Sequence, residues 1–96
     1  MNERGTLSPE DLNRALQTLG GWTVLNGKLH HELTFGDFSE AFGFMTRVAF
    51  LAERLNHHPE WFNVYGRVVI DLTTHDAGGI SPKDVEFARG VNALAG

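Results

Sequence analysis

Three histidines stand at two places where one predicted element gives way to the next. His57 and His58 are adjacent in the stretch ERLNHHPEWFNVY (53–65), and His75 lies in the later stretch THDAGG (74–79). Histidine has the side-chain pKa nearest neutrality, so a group of histidines can both donate and accept protons in one step. Junctions between elements are also where a rigid scaffold presents side chains to a ligand. The pattern therefore predicts an acid–base site.

Residues close to these histidines in the sequence are candidates for orienting them or for holding a ligand. Glu53 precedes His57 by four residues, so on a helix the two side chains share a face, and the carboxylate can orient or charge the ring. Trp61 and Phe62 offer flat apolar surface next to the polar group, which suits a planar heteroaromatic ligand. The expected ligand is therefore a small flat molecule.

Spacing alone leaves other interpretations of the histidines open. A zinc site is disfavoured, because no His-Glu-x-x-His or His-x₃-His spacing exists and the adjacent His57 and His58 cannot share a helix face. No metal is therefore expected. The three side chains could also be partly exposed residues without a shared task, since element junctions collect polar residues. Nucleophilic catalysis lacks support, because each serine lies at a predicted helix start: Ser8, Ser39 and Ser81.

The elements that must position the histidines follow from caps, turns and apolar periodicity. Their order predicts an α+β fold, αββαββα, with a four-stranded antiparallel sheet and helices packed on one face. Asn26-Gly27 favours a type I′ hairpin turn, and Pro59 ends the long helix. The predicted elements are a helix from Ser8 to Gly20–Gly21, strands 22–25 and 28–35, a helix from Asp37 to about Asn56, strands 62–65 and 68–74 joined by Gly66-Arg67, and a helix from Ser81.

The other two histidines, His30 and His31, fall on the second predicted strand. Successive side chains on a strand point to opposite faces, so the two rings must have different surroundings. His31 shares a face with apolar Leu29 and Leu33 and is expected at the edge of the core. His30 is expected to be solvated, away from any site.

The long helix carries two apolar stripes. One stripe contains Phe38, Phe42, Met45, Ala49 and Ala52, and the other contains Phe44, Val48, Leu51 and Leu55. One stripe can face the sheet, and the second, with Phe44, Val48 and Leu51, is expected to contact another subunit. The alternative is a single wide stripe under a curved sheet.

Length and composition limit the remaining classes of function. The 96 residues form a single predicted domain, 1–96, and carry a formal charge of −4 without a basic stripe, so direct nucleic-acid binding is not expected. Cysteine is absent, and no apolar run has the length of a signal peptide core or a membrane span. A cytoplasmic protein without membrane contact is expected.

Residues 41–88, AFGFMTRVAFLAERLNHHPEWFNVYGRVVIDLTTHDAGGISPKDVEFA, resemble the pterin-4a-carbinolamine dehydratase (4a-hydroxytetrahydrobiopterin dehydratase) family. The resemblance implies an α+β domain that assembles as a homodimer or homotetramer. It implies dehydration of 4a-hydroxytetrahydrobiopterin, or a related 4a-hydroxytetrahydropterin, to the quinonoid dihydropterin in pterin cofactor recycling. The small-molecule substrate would then be a pterin. No cofactor is expected, because the ring nitrogen's lone pair can expel hydroxide.

The resemblance also assigns site residues. It places the catalytic histidines on His57, His58 and His75. The residues expected to contact the substrate are Glu53, Pro59, Trp61, Thr74, Asp76 and Ala77. Two positions depart from the animal members, which commonly carry Asp at Asn56 and often Glu at Asp76. Animal members also bind a homeodomain transcription factor as a dimerisation cofactor, so a protein-binding module is the alternative function.

Overall fold

The computed structural model describes residues 5–96 and contains three α-helices and four strands. Their order confirms the predicted αββαββα arrangement. The elements are α1 (Pro9–Leu16), β1 (Thr23–Leu25), β2 (Lys28–Thr34), α2 (Phe38–Leu55), β3 (Glu60–Val64), β4 (Arg67–Leu72), a short 3-10 helix (His75–Ala77) and α3 (Pro82–Ala95).

The four strands form one antiparallel sheet in the order β1-β2-β4-β3. The central pairing of β2 with β4 joins the two hairpins and sets Leu29 opposite Leu72 and Leu33 opposite Val68. These four side chains are buried with residues of the helices in one core. Because side chains alternate along a strand, the opposite face carries the polar neighbours, among them Asp71. The helices therefore cover one face of the sheet, as predicted.

Each helix begins at a side-chain cap that the sequence predicts. Ser8 Oγ accepts a hydrogen bond from the Asp11 backbone N–H at 3.1 Å, and Asp37 Oδ1 accepts one from the Glu40 N–H at 2.8 Å. At α3, Ser81 and Asp84 form a reciprocal capping box. Such caps satisfy backbone donors that have no partner inside the helix.

Of the two hairpin turns, the first lies where the sequence predicts it and the second does not. Asn26 and Gly27 both have positive φ, at 55° and 76°, as a type I′ turn requires, so that prediction is confirmed. The second turn is shifted: it lies at Tyr65–Gly66, with Tyr65 at φ 51°, and β3 begins at Glu60 rather than at residue 62. Gly66 is needed because a Cβ there would collide with the Phe35 carbonyl oxygen.

The predicted subunit contact through Phe44, Val48 and Leu51 is wrong. All three side chains are buried in the core, together with residues of the sheet and of α3. A Cβ on Gly90 of α3 would lie 2.7 Å from Leu51 Cδ2, which shows how closely the two helices approach there. The periodicity identified both stripes but not which of them faces inward.

The two histidines of β2 have the different surroundings that strand alternation predicts. His31 lies on the helix-covered face, where its ring meets the Trp22 ring edge to face at a centroid distance of 5.1 Å. His30 is not freely solvated, because its Nδ1 lies 2.8 Å from Asp71 Oδ1 and its Nε2 lies 3.2 Å from Glu32 Oε2. The cross-strand partner Asp71 could not be assigned before the register of β2 and β4 was known.

The helices within residues 5–96 include none with the length and apolar character needed to cross a lipid bilayer.

Candidate functional site

The fold brings the three candidate histidines to one pocket of about 310 Å³. Two of them leave the end of α2, and the third lies on the 3-10 helix that follows β4. The pocket is lined by Asn56, His57, His58, Thr73, Thr74, His75, Asp76 and Lys83. Residues separated by 17 positions in the sequence therefore share one surface.

The chain leaves α2 through a left-handed residue, Asn56, immediately before the two adjacent histidines. Asn56 has φ 50° and ψ 46°, and the His57 N–H donates to the Ala52 carbonyl at 3.1 Å. The helix therefore ends here in a left-handed C-terminal cap. The chain then turns, and His57 points inward with 11% of its side chain exposed, whereas 60% of the His58 side chain is exposed. The two rings therefore have separate environments.

His57 is held by a carboxylate that is completely buried. Its Nε2 lies 2.5 Å from Asp84 Oδ1, and its ring packs edge-on against Phe87 at a centroid distance of 6.1 Å. A carboxylate accepts hydrogen bonds, so the short contact places the proton on Nε2 and leaves Nδ1 as the acceptor of the neutral ring.

Asp84 is itself fixed by two further donors. Its Oδ2 accepts from Thr74 Oγ1 at 2.7 Å and from the Ser81 N–H at 2.9 Å. Ser81 Oγ in turn lies 2.7 Å from Thr74 Oγ1. The sequence predicted the helix start at Ser81 but did not place Asp84 in the site. A capping-box acid uses one oxygen on the backbone, and nothing in the sequence shows that the other oxygen meets a histidine.

Glu53 contacts a different histidine from the one predicted. Its Oε2 lies 2.8 Å from His58 Nε2, not beside His57. The prediction assumed that the helix continues through residue 57, but the left-handed turn at Asn56 rotates both rings away from their helical positions. Both side chains of this pair are largely exposed, so the attraction between them is screened by water.

His75 stands at the rim of the pocket. Its side chain is 83% exposed, and its Nε2 lies 3.5 Å from Glu60 Oε2 on β3. Glu60 also accepts from Lys28 Nζ at 2.5 Å, and that hydrogen bond is the main reason why the pKa of Glu60 is lowered. Glu60 is a second neighbour that sequence reasoning missed, because a strand residue far from His75 in sequence gives no sign of this contact.

The residues expected to contact the substrate divide into two groups. Thr74 and Asp76 line the histidine pocket, and Ala77 lines the cavity beside it. Glu53 reaches the pocket only through His58, and Pro59 is not among the lining residues.

The structure does not bring Trp61 to the histidine pocket. Its side chain packs against the core and, with Phe42 and Met45 of α2, lines a separate cavity of about 150 Å³. Strand alternation puts Trp61 on the helix-covered face of β3, whereas the histidines gather beyond the strand ends. Phe62, its neighbour, lies on the opposite, exposed face.

Within residues 5–96, no group of three or more histidine, aspartate or glutamate side chains is arranged to hold a metal ion. The histidines of the site are instead each paired with one carboxylate. His57 meets Asp84, His58 meets Glu53, and His75 approaches Glu60. Such an arrangement can bind a polar molecule between several imidazoles and exchange protons with it.

Comparisons with known proteins match nearly the whole chain to one family. Residues 5–94 match the family described as pterin 4 alpha carbinolamine dehydratase. A protein of Solibacter usitatus, provisionally named pterin-4-alpha-carbinolamine dehydratase, is 60% identical over 93% of this chain and 94% of its own length. A relative from Prochlorococcus marinus with the same provisional name is 51% identical over 92% of each chain.

The fold has a close counterpart among solved structures. A crystal structure from Brucella melitensis, described as a transcriptional coactivator/pterin dehydratase, superposes with a TM-score of 0.91 at 45% sequence identity. The match covers 95% of this chain and 99% of the other.

Proposed function

This chain belongs to the pterin-4a-carbinolamine dehydratase family, and we propose that it dehydrates a 4a-hydroxytetrahydropterin to the quinonoid dihydropterin. The observation that carries the proposal is the convergence of His57, His58 and His75 on one pocket, with His57 anchored by the buried Asp84. The relatives' names concern the same reaction type, a hydro-lyase reaction.

The chemistry needs two proton transfers and no change of oxidation state. The lone pair of the ring nitrogen forms a C=N bond as the C–O bond breaks. The departing oxygen takes a proton from an imidazolium and leaves as water. The N–H proton passes to a neutral imidazole, so one proton is donated and one is accepted in each turnover. Each positioned transfer typically contributes about 10²–10⁴-fold to the rate.

We assign His57 and His75 as the acid–base pair, supported by their different surroundings. Asp84 keeps the His57 ring in one orientation and one tautomer, which leaves Nδ1 to exchange a proton with the substrate. His75 stands in solvent at the rim, where it can exchange protons with water. His58, which lines the same pocket and is paired with Glu53, is then available to bind and polarise the 4a-hydroxyl group.

We further propose that the protein is a homo-oligomer that uses the outer face of α2. This outer face carries Phe38, Phe42 and Phe50, and Phe50 has 72% of its surface exposed. Burying large aromatic side chains contributes strongly to association, and an isolated domain rarely leaves three of them exposed on one helix without a partner. This face replaces the buried stripe as the expected subunit contact.

The same outer face would carry the alternative function of a protein-binding module. The Brucella neighbour is described as both coactivator and dehydratase, so one fold is linked to both activities. A partner would bind the aromatic side chains of α2, whereas dehydration depends on the histidine pocket. Substitution of Phe50 should therefore weaken association and leave the dehydration rate unchanged. Substitution of His57 should lower the dehydration rate and leave association unchanged.

The direct test is a kinetic assay with 4a-hydroxytetrahydropterin formed by an aromatic amino acid hydroxylase. The quinonoid dihydropterin should form faster with the protein than spontaneously, in proportion to protein concentration. A His57→Ala variant that retains its fold serves as the matched control and should lose most of the increment. Formation at the spontaneous rate with the wild-type protein would overturn the proposal.

A further inference from the structure

All three histidines of the pocket direct the same ring nitrogen, Nε2, at a carboxylate. The pairs are His57 with Asp84, His58 with Glu53 and His75 with Glu60, at 2.5, 2.8 and 3.5 Å. In a neutral ring, a carboxylate partner favours the tautomer with its proton on Nε2, which leaves Nδ1 as the atom that accepts a proton. Asp84 and Glu53 belong to helices, whereas Glu60 lies on the edge strand β3. The mechanism described above uses Asp84 but gives Glu60 no role.

Glu60 is held from its other side by a lysine two strands away. Its Oε1 accepts a hydrogen bond from Lys28 Nζ at 2.5 Å, so a side chain of β2 reaches across β4 to β3. Asp71, directly opposite Glu60 on β4, is paired instead with His30 at 2.8 Å. The pKa of Glu60 is lowered, mainly by the hydrogen bond from Lys28, so the carboxylate stays ionised at neutral pH. One oxygen of a fixed, charged group is thus left for His75.

The ring of His75 has little else to fix its orientation. It stands on a 3-10 helix of three residues, His75–Ala77, and 83% of its side chain is exposed. Among residues 5–96, no side chain other than that of Glu60 forms a hydrogen bond, an ion pair or a ring contact with it. His57, by contrast, is enclosed by Asp84 and Phe87. Within the described chain, Glu60 is therefore the group that can orient His75.

From this geometry we propose that Glu60 is a positioning residue for His75 and that Lys28 holds Glu60 in place. The inference rests on the proposed function, in which His75 is one of the two proton-transfer groups. Glu60 acts through the ring: its carboxylate accepts the hydrogen bond of Nε2–H, and Nδ1 is left to exchange a proton with the substrate. Hydrogen bonds of this kind are often long before a substrate binds and shorten when it fills the site, where water no longer screens the charges.

The test is a double-mutant cycle on the dehydration rate. Glu60→Gln keeps the size of the side chain and removes its charge, so kcat should fall about fivefold with KM within about twofold. Lys28→Met should lower kcat by a smaller factor, about twofold, because Glu60 remains but is held less firmly. In a His75→Ala background, Glu60→Gln should lower kcat no further, because Glu60 acts only through that ring. A purely structural role of Glu60 would not produce this dependence on His75.

Glu32→Gln is the matched control, because Glu32 is a similarly exposed carboxylate of the same sheet that is also paired with a basic side chain and a histidine, Arg67 and His30. It should leave kcat and KM unchanged. An active wild-type protein whose kcat falls no more with Glu60→Gln than with Glu32→Gln would overturn the inference and leave the proposed function standing. So would an equal loss from Glu60→Gln with and without His75. Absence of catalysis by the wild-type protein would instead overturn the proposed function, and the inference with it.

Discussion

His57 Nε2 lies 2.5 Å from Oδ1 of Asp84, a carboxylate with no exposed surface. Two parts of the chain 27 residues apart meet in this contact, the C-terminal end of α2 and the first turn of α3. The same carboxylate caps α3 and accepts a hydrogen bond from Thr74. One buried group thus joins the helix start, the loop of His75 and the ring of His57. We therefore expect substitution of Asp84 to change both stability and the proposed catalysis.

Asp84→Asn should lower kcat/KM by roughly 10²-fold, because the amide does not hold the His57 tautomer as a carboxylate does. A loss of proton transfer should appear mainly in kcat, with a changed pH profile, and not in KM. The measurement is kcat/KM against pH on variants whose folding is checked by circular dichroism.

Ser81→Ala is the control for the structural part of the Asp84 effect. It removes the cap hydroxyl, which typically costs about 0.5–2 kcal/mol of stability, but leaves the His57–Asp84 contact. Its Tm should fall while its pH profile keeps the wild-type shape. If Ser81→Ala and Asp84→Asn alter the pH profile alike, Asp84 has no positioning role beyond the cap.

The family resemblance located the three histidines, but the sequence did not reveal their partners. Local signals such as Ser81-Pro82 and Asn26-Gly27 predicted helix starts and a turn correctly, because each depends on adjacent residues. The Asp84 contact depends on how α2 and α3 lie across the sheet, which spacing does not encode. Glu53 was paired with the wrong ring because a single left-handed residue ended the helical geometry on which the prediction relied.

The histidines should differ sharply in their effect on the reaction. His57→Ala and His75→Ala should each lower kcat/KM by roughly 10²-fold or more, because each removes a proposed proton-transfer partner. His30→Ala should leave kcat/KM nearly unchanged, although the loss of its contacts with Asp71 and Glu32 should lower stability. Kinetics and thermal unfolding are measured together on each variant. Near wild-type kcat/KM in both folded His57→Ala and His75→Ala would move catalysis to another group.

Activity should not depend on a divalent metal ion, because dehydration of a carbinolamine is a proton-transfer reaction without a required Lewis acid. Dialysis against EDTA should leave kcat/KM within about twofold of its starting value, as expected where histidines alone transfer the protons. The assay is repeated after zinc or magnesium is added back. Activity that EDTA abolishes and one of these ions restores would contradict the prediction.

His30 and His31 should give stability opposite dependences on pH. The pKa of His30 is raised above 6.5, mainly by its hydrogen bond with Asp71, so its contribution is complete below pH 6.5 and is lost as pH rises through the folded-state pKa. The pKa of His31 is lowered below 6.5, mainly by burial, so its contribution is complete above pH 6.5 and is lost as pH falls through its folded-state pKa.

These signs are checked by urea unfolding from pH 5 to 8 on single glutamine variants. His30→Gln should remove the decline in stability on the alkaline side of pH 6.5, and His31→Gln should remove the decline on the acidic side, both relative to wild type. Because the rings are adjacent but on opposite faces, each variant leaves the other environment in place. The same slope change in both variants would contradict the assignment.

Phe50 and Leu51 are neighbours on α2 with opposite surroundings, and they separate association from folding. Phe50 is 72% exposed on the outer face, whereas Leu51 is buried against Gly90. Phe50→Glu should shift the sedimenting species toward monomer with little change in Tm, because it disrupts only a surface contact. Leu51→Glu should lower the free energy of unfolding by several kcal/mol, because it buries an unpaired charge in the core. A wild-type protein already monomeric at micromolar concentration, or a Phe50→Glu variant that associates as the wild type does, would exclude the outer face of α2 as the subunit contact.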